Sequence, residues 1–401
     1  MPKTIVFCAD GTWNGPEEHT HQSPTDTADT AGELQGATLT NVVKLYSNLA
    51  GRPTLETLAL QNEQEKKLLD AAGTTVQIAK YLHGVGDSNN VVMKVLGGVF
   101  GVGVIARIVR GYTFISRYYQ PGDAIHIAGF SRGAYTARAL AGMIARVGLL
   151  DPSRYDVNDK DEAYKRGVAA WNRSKGITLT GNSDATQLAN RLLDFVEGFI
   201  ARMKLADRDL LPNVGIKSVA VWDTVGSMGV PLYMRDHRYD VFRFTDTELS
   251  PRIEHGFHAM AIDEQRADFP VTPWDRRQGV EQVWFVGAHA DVGGGYAQAE
   301  SRLSDIALAW MMKKLATVGV RFATPLTIVP DLLGEPGDIH APWEQSPFKF
   351  LARSHREPQA QDVFHTSVIQ RWKSDLDYRP GALAFFTPQL LGQLTVDNLA
   401  G

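Results

Sequence analysis

The sequence has almost no cysteine, no surplus of basic residues and no cluster of metal-binding side chains. Of its 401 residues only Cys8 carries a thiol, so no internal disulfide can form and the fold does not depend on an oxidising compartment. Lys and Arg number 41 against 45 Asp and Glu, which argues against a nucleic-acid partner. Since no group of Cys and His residues is spaced for metal binding, we expect neither a metal nor another cofactor. A cation held by Asp10, Asp87 and Asp291 stays open as an alternative.

Long apolar segments are also missing. The N-terminal apolar run, residues 5–8, is shorter than the core of a secretory signal. Residues 91–112 come closest to a membrane-spanning helix, but Lys94, Arg107 and Arg110 interrupt them and favour a buried helix. We therefore expect a chain without a signal peptide or transmembrane helix that is cytoplasmic in the cell that produces it.

Short apolar strands alternate with helical patterns along the chain. Strands are predicted near residues 4–8, 75–81, 123–129, 216–222 and 283–287, and helices near 107–119, 134–147, 253–269 and 304–315. This alternation predicts an α/β fold, one domain over residues 1–401 whose mainly parallel sheet is covered by helices on both faces. Residues 151–215 interrupt this alternation of strands and helices. Within them, the helical spacing of the apolar residues in 187–205 predicts a cap or lid that contacts either the core or a membrane surface.

Ser131 is the candidate nucleophile. It lies in Gly129-Phe130-Ser131-Arg132-Gly133, a G-x-S-x-G sequence with a predicted strand before it and a predicted helix after it. A sharp strand-to-helix turn lifts the serine hydroxyl above the sheet, and Gly129 and Gly133 relieve crowding at that turn. The alternative is a strand–helix corner that matches the pattern by chance.

A nucleophilic serine needs a base, and His289 follows a late predicted strand, as in the chain order Ser, acid, His of α/β hydrolases. Asp223 is the preferred acid because it ends a predicted strand. Asp263 lies on the segment predicted as a helix, where an acid usually faces solvent or a neighbouring cation. Asp291 is a third candidate, although two residues from His289 is too close to orient that ring easily.

The loop after the first strand is the candidate for completing an oxyanion hole. In Asp10-Gly11-Thr12, Gly11 permits close approach, and the backbone N–H groups of this turn and of Arg132 are expected to receive developing negative charge. Asp10 is expected to hold the loop in place. A simple polar turn is the alternative interpretation.

Four motifs together resemble a known family. They are F-C-x-D-G-T-W-N, G-F-S-R-G-A-Y-T-A-R, W-D-T-V-G-S-x-G and G-x-H-A-D-V-G-G-G-Y, at residues 7–14, 129–138, 222–229 and 287–296. This combination resembles the α/β-hydrolase domain of bacterial type VI secretion phospholipase effectors, and the likeness runs from residue 3 to about residue 370. The resemblance implies hydrolysis of acyl esters of glycerophospholipids by a Ser131–Asp223–His289 triad, with partners in a secretion apparatus and an immunity protein.

Two other functions stay open from the sequence. One is hydrolysis of small soluble esters or thioesters without a preference for lipid. The other is a catalytically silent relative that acts as a binding or delivery module, against which the complete set of Ser131, Asp223 and His289 argues.

Overall fold

The computed structural model describes residues 2–11, 38–55, 63–83, 100–175, 203–225, 248–333, 337–345, 348–350, 352–384 and 399–400. Strands were predicted at five places and are present at all five. In chain order the strands are β1 (Thr4–Ala9), β2 (Arg52–Pro53), β3 (Glu63–Leu69), β4 (Thr75–Leu82), β5 (Ala124–Phe130), β6 (Leu149–Leu150), β7 (Leu210–Leu211), β8 (Ile216–Trp222), β9 (Ile253–Ala261), β10 (Val280–Phe285), β11 (Val363–His365) and β12 (Leu399–Ala400).

Ten of these strands form one sheet in the order β12-β11-β10-β9-β8-β5-β1-β4-β3-β2. All neighbours from β12 to β4 are parallel, whereas β3 pairs antiparallel with β4, and β2 with β3. The strands β6 and β7 form a separate antiparallel pair. Because the central strands run in one direction, their carboxyl ends meet along one edge, where α/β folds place their sites.

Helices cover both faces of the sheet, as the alternating pattern predicted. In chain order they are α1 (Asn41–Asn48), α2 (Phe100–Tyr118), α3 (Arg132–Val147), α4 (Lys160–Lys175), α5 (His289–Gly293), α6 (Arg302–Thr317) and α7 (Thr366–Ser374). Side chains of β1 alternate between the two layers: Ile5 and Phe7 pack with α2, α3 and α4, and Val6 and Cys8 pack with α1 and α6. Apolar cores therefore lie on both faces of the mainly parallel sheet.

The helix predicted over 253–269 is wrong, because its first part is the central strand β9. Both faces of β9 are covered, so buried side chains occupy nearly every position from Gly256 to Ala261. A strand buried on two faces loses the alternation of polar and apolar residues, and its apolar run matches helical spacing by chance.

The described part of the segment 151–215 packs on the core. Helix α4 buries Val168 and Trp171 in the core shared with α2 and α3. A Cβ on Gly167 would lie 2.8 Å from Val109 and 2.9 Å from Thr113, so glycine lets α4 approach α2 closely. Residues 176–202 lie outside the described residues, as do 12–37. The lid over 187–205 and the division of the chain into domains therefore stay predictions.

Across the described ranges, the helices are all too short or too polar to cross a bilayer. The segment 91–112 was predicted as a buried helix, and its described part forms the start of α2, in which Ile108, Val109 and Tyr112 are buried.

Candidate active site

Ser131 lies at the turn between β5 and α3, with φ 57° and ψ -121°. A positive φ is strained for a residue other than glycine, and such strain persists where the surrounding structure enforces it. A Cβ on Gly129 would lie 2.3 Å from the Gly133 carbonyl oxygen, and a Cβ on Gly133 would lie 2.1 Å from that of Ala9. Only glycine fits at these two positions, and together they permit the sharp turn that presents the serine.

Asp223 and His289 meet at the carboxyl edge of the sheet beside this turn. The Ser131 N–H donates to the carbonyl oxygen of Trp222 at 3.1 Å, which places the serine next to the end of β8. Asp223 follows β8, is fully buried and accepts a 2.6 Å hydrogen bond on Oδ2 from Nδ1 of His289. The His289 ring packs 4.6 Å from that of Phe130, the residue before Ser131. The three residues that the sequence singled out as nucleophile, acid and base thus share one edge.

The electrostatics of the pair favour a neutral imidazole beside a carboxylate. Burial alone would raise the pKa of Asp223, but the Arg356 guanidinium and the hydrogen bond from His289 lower it to about 2. Burial lowers the pKa of His289, and the bond to Asp223 only partly offsets that effect. At neutral pH His289 therefore has an unprotonated ring nitrogen, Nε2, while Asp223 is charged.

Arg356 contacts the site and was missed by sequence reasoning. It is 5% exposed, and its Nη2 donates to Oδ2 of Asp223 at 2.9 Å. Arg356 lies within a polar run, residues 353–357, that looks like any solvated loop, so no sequence signal could have found it.

Three carboxylates hold the backbone of the turn that carries His289. The N–H groups of residues 287, 288 and 289 donate in turn to Asp263 at 2.6 Å, to Asp291 at 2.9 Å and to Glu264 at 3.1 Å. Asp263 and Asp291, the two candidate acids that were not preferred, therefore bond the backbone just before His289 and not its ring. Sequence reasoning did not single out Glu264.

Asp263 lies just beyond the end of β9, not on a helix. It is buried, and besides the Gly287 N–H it accepts the hydroxyl of Tyr378 at 3.1 Å. Burial raises the pKa of this carboxyl to about 7, and the nearby charge of Asp291 acts in the same direction. The expectation that Asp263 faces solvent or pairs with a neighbouring cation is thus wrong.

Asp291 pairs with His340. The His340 Nδ1–H donates to Oδ1 of Asp291 at 2.6 Å, and the ring of His340 stacks on Tyr296. The bond to Asp291 raises the pKa of His340.

Asp10 accepts three hydrogen bonds at the loop after β1. Its carboxylate is fully buried and accepts bonds from Thr40 Oγ1 at 2.8 Å, from Tyr81 Oη at 2.7 Å and from the Gly11 N–H at 2.7 Å. A Cβ on Gly11 would lie 3.4 Å from that of Ser131, so the loop does approach the serine closely. The Gly11 N–H, however, is engaged by Asp10 and does not face an oxyanion. Thr12 lies outside the described residues.

A cleft of about 640 Å³ lies beside Arg356. Phe269 and Arg356 are among the residues that line it. The ring of Phe269 contacts that of His289 edge to face, with 5.2 Å between the ring centroids. Ser131, Asp223 and His289 are not among the residues that line this cleft, which reaches the site through Arg356 and Phe269.

The mainly parallel sheet and the strained serine between β5 and α3 define an α/β-hydrolase fold. The family model of the type VI secretion system phospholipase effector Tle1-like catalytic domain matches residues 3–314, and the chain belongs to this family. The resemblance inferred from the four motifs is confirmed.

One similar protein is much longer than this chain. The chain is 27% identical over 280 residues to an uncharacterized protein of Saccharomyces cerevisiae, covering 67% of this chain and 32% of the yeast protein. This chain thus spans about a third of the length of that relative.

Two solved structures are similar at low TM-score. One is an uncharacterized protein from Pseudomonas aeruginosa, with TM-score 0.38, 16% identity, and coverage of 80% of this chain and 46% of that one. The other is a Tle1 effector bound to the VgrG spike of the type VI secretion system, with TM-score 0.38, 18% identity, and coverage of 76% and 53%.

Proposed function

We propose that the protein is a serine hydrolase that cleaves acyl esters of glycerophospholipids, with Ser131 as nucleophile, His289 as base and Asp223 as the orienting acid. The observation that carries the proposal is the 2.6 Å bond between buried Asp223 and His289, beside a serine held in a strained strand-to-helix turn. Membership of a phospholipase effector family supports the lipid substrate.

In the proposed reaction, Oγ of Ser131 attacks the ester carbonyl carbon while Nε2 of His289 takes its proton. Asp223 keeps the other ring nitrogen protonated and stabilises the imidazolium that forms. The tetrahedral oxyanion collapses, the bond to the alcohol breaks, and His289 returns its proton to the alcohol oxygen. Water then attacks the acyl-serine with His289 again as base, which releases the fatty acid and regenerates the serine.

The oxyanion is proposed to be received by backbone N–H groups. The N–H of Arg132 follows the nucleophile at the first residue of α3, where the helix dipole favours negative charge. Thr12 is the proposed second donor, since the Gly11 N–H is engaged by Asp10.

Hydrolysis of phospholipid vesicles tests this function. Purified wild type and Ser131→Ala are incubated with vesicles of phosphatidylethanolamine and phosphatidylglycerol, and free fatty acid and lysophospholipid are measured by mass spectrometry. Wild type should release both products, and the variant should be slower by at least about 10³ because loss of a triad member removes covalent catalysis. Ser153→Ala, which changes an exposed serine, is the matched control. Fatty-acid release by Ser131→Ala at the wild-type rate would refute the proposal.

A soluble p-nitrophenyl butyrate assay separates the two remaining alternatives. Turnover of this ester without any attack on vesicles would favour an esterase of small substrates. Absence of turnover on both substrates would favour the silent binding module.

As a member of an effector family, the protein is further proposed to leave the producing cell through the type VI apparatus and to meet an immunity partner. Comparison of culture supernatants from strains with and without an assembled apparatus tests the first point. Equal amounts of the protein in both supernatants would contradict export by this route.

A further inference from the structure

We propose that Arg356 is a positioning residue of the candidate site: it holds Asp223 in place and weakens the basicity of His289, so that the protein works at lower pH than it would without this arginine. The inference rests on the function proposed above and extends it from a triad to a set of four residues.

The placement of Arg356 is built into the fold. Residues 352–354 pair with residues 265–267 through the bonds Ala267 N–H to Ala352 O at 3.0 Å and Ser354 N–H to Gln265 O at 2.8 Å. The loop that carries Arg356 is thereby fixed to the loop that follows β9, and its guanidinium contacts Asp223. Within the described part of the chain its Nε and Nη1 have no hydrogen-bond partner, so Asp223 is its one acidic contact there.

One carboxylate oxygen serves two donors. Oδ2 of Asp223 accepts both the Nδ1–H of His289 at 2.6 Å and Nη2 of Arg356 at 2.9 Å, while Oδ1 accepts the Ala261 N–H at 3.0 Å. The imidazolium that forms during catalysis is stabilised by the negative charge of Asp223. A guanidinium on the same oxygen already offsets that charge, so protonation of His289 becomes less favourable.

The remaining charges around the pair act on His289 in both directions. The titratable and charged groups that face Asp223 and His289 are Arg356, Glu264, Arg266 and His258, together with Asp291 on α5. Arg266 lowers the pKa of His289 and Glu264 raises it, and these two side chains form a 2.8 Å ion pair with each other. Burial lowers the pKa of His258 to about 3, so it is neutral, and Asp291 is bonded to His340. Among these groups only Arg356 brings positive charge into contact with Asp223.

A pH titration of the His289 ring by ¹⁵N NMR tests the proposal without any substrate. In the Ser131→Ala background, wild-type Arg356 should keep the ring pKa below the usual His value of about 6.5. Arg356→Met, or Arg356→Gln if the methionine variant does not fold, should raise that pKa by about one unit or more. Arg356→Lys, which keeps the charge, should stay closer to wild type than either. A ring pKa above about 7 with Arg356 in place would overturn the proposal even if no variant folds.

The pH profile of kcat/KM on short acyl esters provides the second readout, with Ser131 intact. The acid limb should move upward in the charge-removing variants by the same amount as the ring pKa. Lys44→Met is the matched control, since it removes a buried cation bonded to Asp305 at 2.7 Å, away from the site. The proposal would be overturned if a folded Arg356→Met variant had the same pH profile as wild type. It would also be overturned if the acid limb of Arg356→Lys shifted as far as that of Arg356→Met. Failure of the proposed function is distinct, because it would show as activity of Ser131→Ala.

Discussion

At the residue scale, the site depends on Asp223, which combines full burial with strained backbone. Its φ of 32° is in the left-handed region, where residues other than glycine are held only by their surroundings. Its backbone N–H donates to the carbonyl oxygen of Ala259, and its carboxylate accepts bonds from Ala261, His289 and Arg356. Together these four bonds fix the position of the carboxylate next to Nδ1 of His289.

Asp223→Asn should reduce turnover by about 10⁴ while substrate binding changes little, because an amide cannot hold the tautomer that leaves Nε2 unprotonated. The measurement is kcat and KM on a short acyl ester. Asp305→Asn is the control, since it alters another buried carboxylate that bonds Lys44 and does not touch the site. Turnover of Asp223→Asn within tenfold of wild type would remove Asp223 from the proposed triad.

Asp263 gives a prediction about stability and pH. Its pKa is about 7 in the folded protein and near 3.8 in an unfolded chain, so the folded state binds an extra proton between these values. The stability that Asp263 contributes is thus complete below about pH 4 and is lost as the pH rises to about 7.

Asp263→Asn should therefore gain stability relative to wild type as the pH rises through that window, by up to roughly 4 kcal/mol. The amide oxygen can still accept the Gly287 N–H, so turnover should stay within roughly tenfold of wild type. Urea unfolding at pH 4 and pH 7 measures the stability difference. A difference that is the same at both pH values would contradict the buried, protonated carboxyl.

At the element scale, the contact between β1 and the start of α3 depends on glycine. Gly133→Ala would place a Cβ 2.1 Å from the backbone oxygen of Ala9, which cannot move without shifting β1. We expect a loss of about 3 kcal/mol or more in the free energy of unfolding. Gly215→Ala is the control, because its nearest neighbour would lie at 3.9 Å and it should change stability by less than about 0.5 kcal/mol. Equal stability of the two variants would refute the packing argument.

The elements show where sequence reasoning succeeds. Strands such as β1, β5 and β8 were predicted because each is a short apolar run that ends in a turn signal. The sequence of strand β9 instead predicts a helix, since burial on both faces removes the alternation that identifies strands. Arg356 was missed for another reason. Its role comes from the pairing of residues 352–354 with 265–267, a contact between distant parts of the chain that no local pattern encodes.

At the scale of the whole molecule, the site extends beyond the part of the chain that matches the family model. That match ends at residue 314, yet each of three site acids bonds a later residue. Arg356 holds Asp223, Tyr378 holds Asp263 and His340 holds Asp291. The later residues also add β11 and α7, whose Phe364 and Val368 cover Met260 and Trp284.

A chain of residues 1–330 should consequently fail to unfold cooperatively and should have no measurable turnover, because it exposes apolar surface of β9 and β10 and leaves Asp223 without Arg356. Thermal unfolding followed by circular dichroism, together with an ester assay, checks this. Tyr378→Phe, which removes one hydroxyl from the full chain, should cost only about 1 kcal/mol. Full turnover by the shortened chain would show that residues 331–401 are dispensable to the site.

The central claim, that Ser131 is the nucleophile activated by His289, is tested most directly by covalent labelling. The folded protein is treated with a fluorophosphonate, which reacts with activated serines, and the adduct is located by peptide mass spectrometry. We expect one adduct, on Ser131, that is lost in both Ser131→Ala and His289→Ala. An adduct at another residue, or an unlabelled protein that still hydrolyses phospholipid, would contradict it.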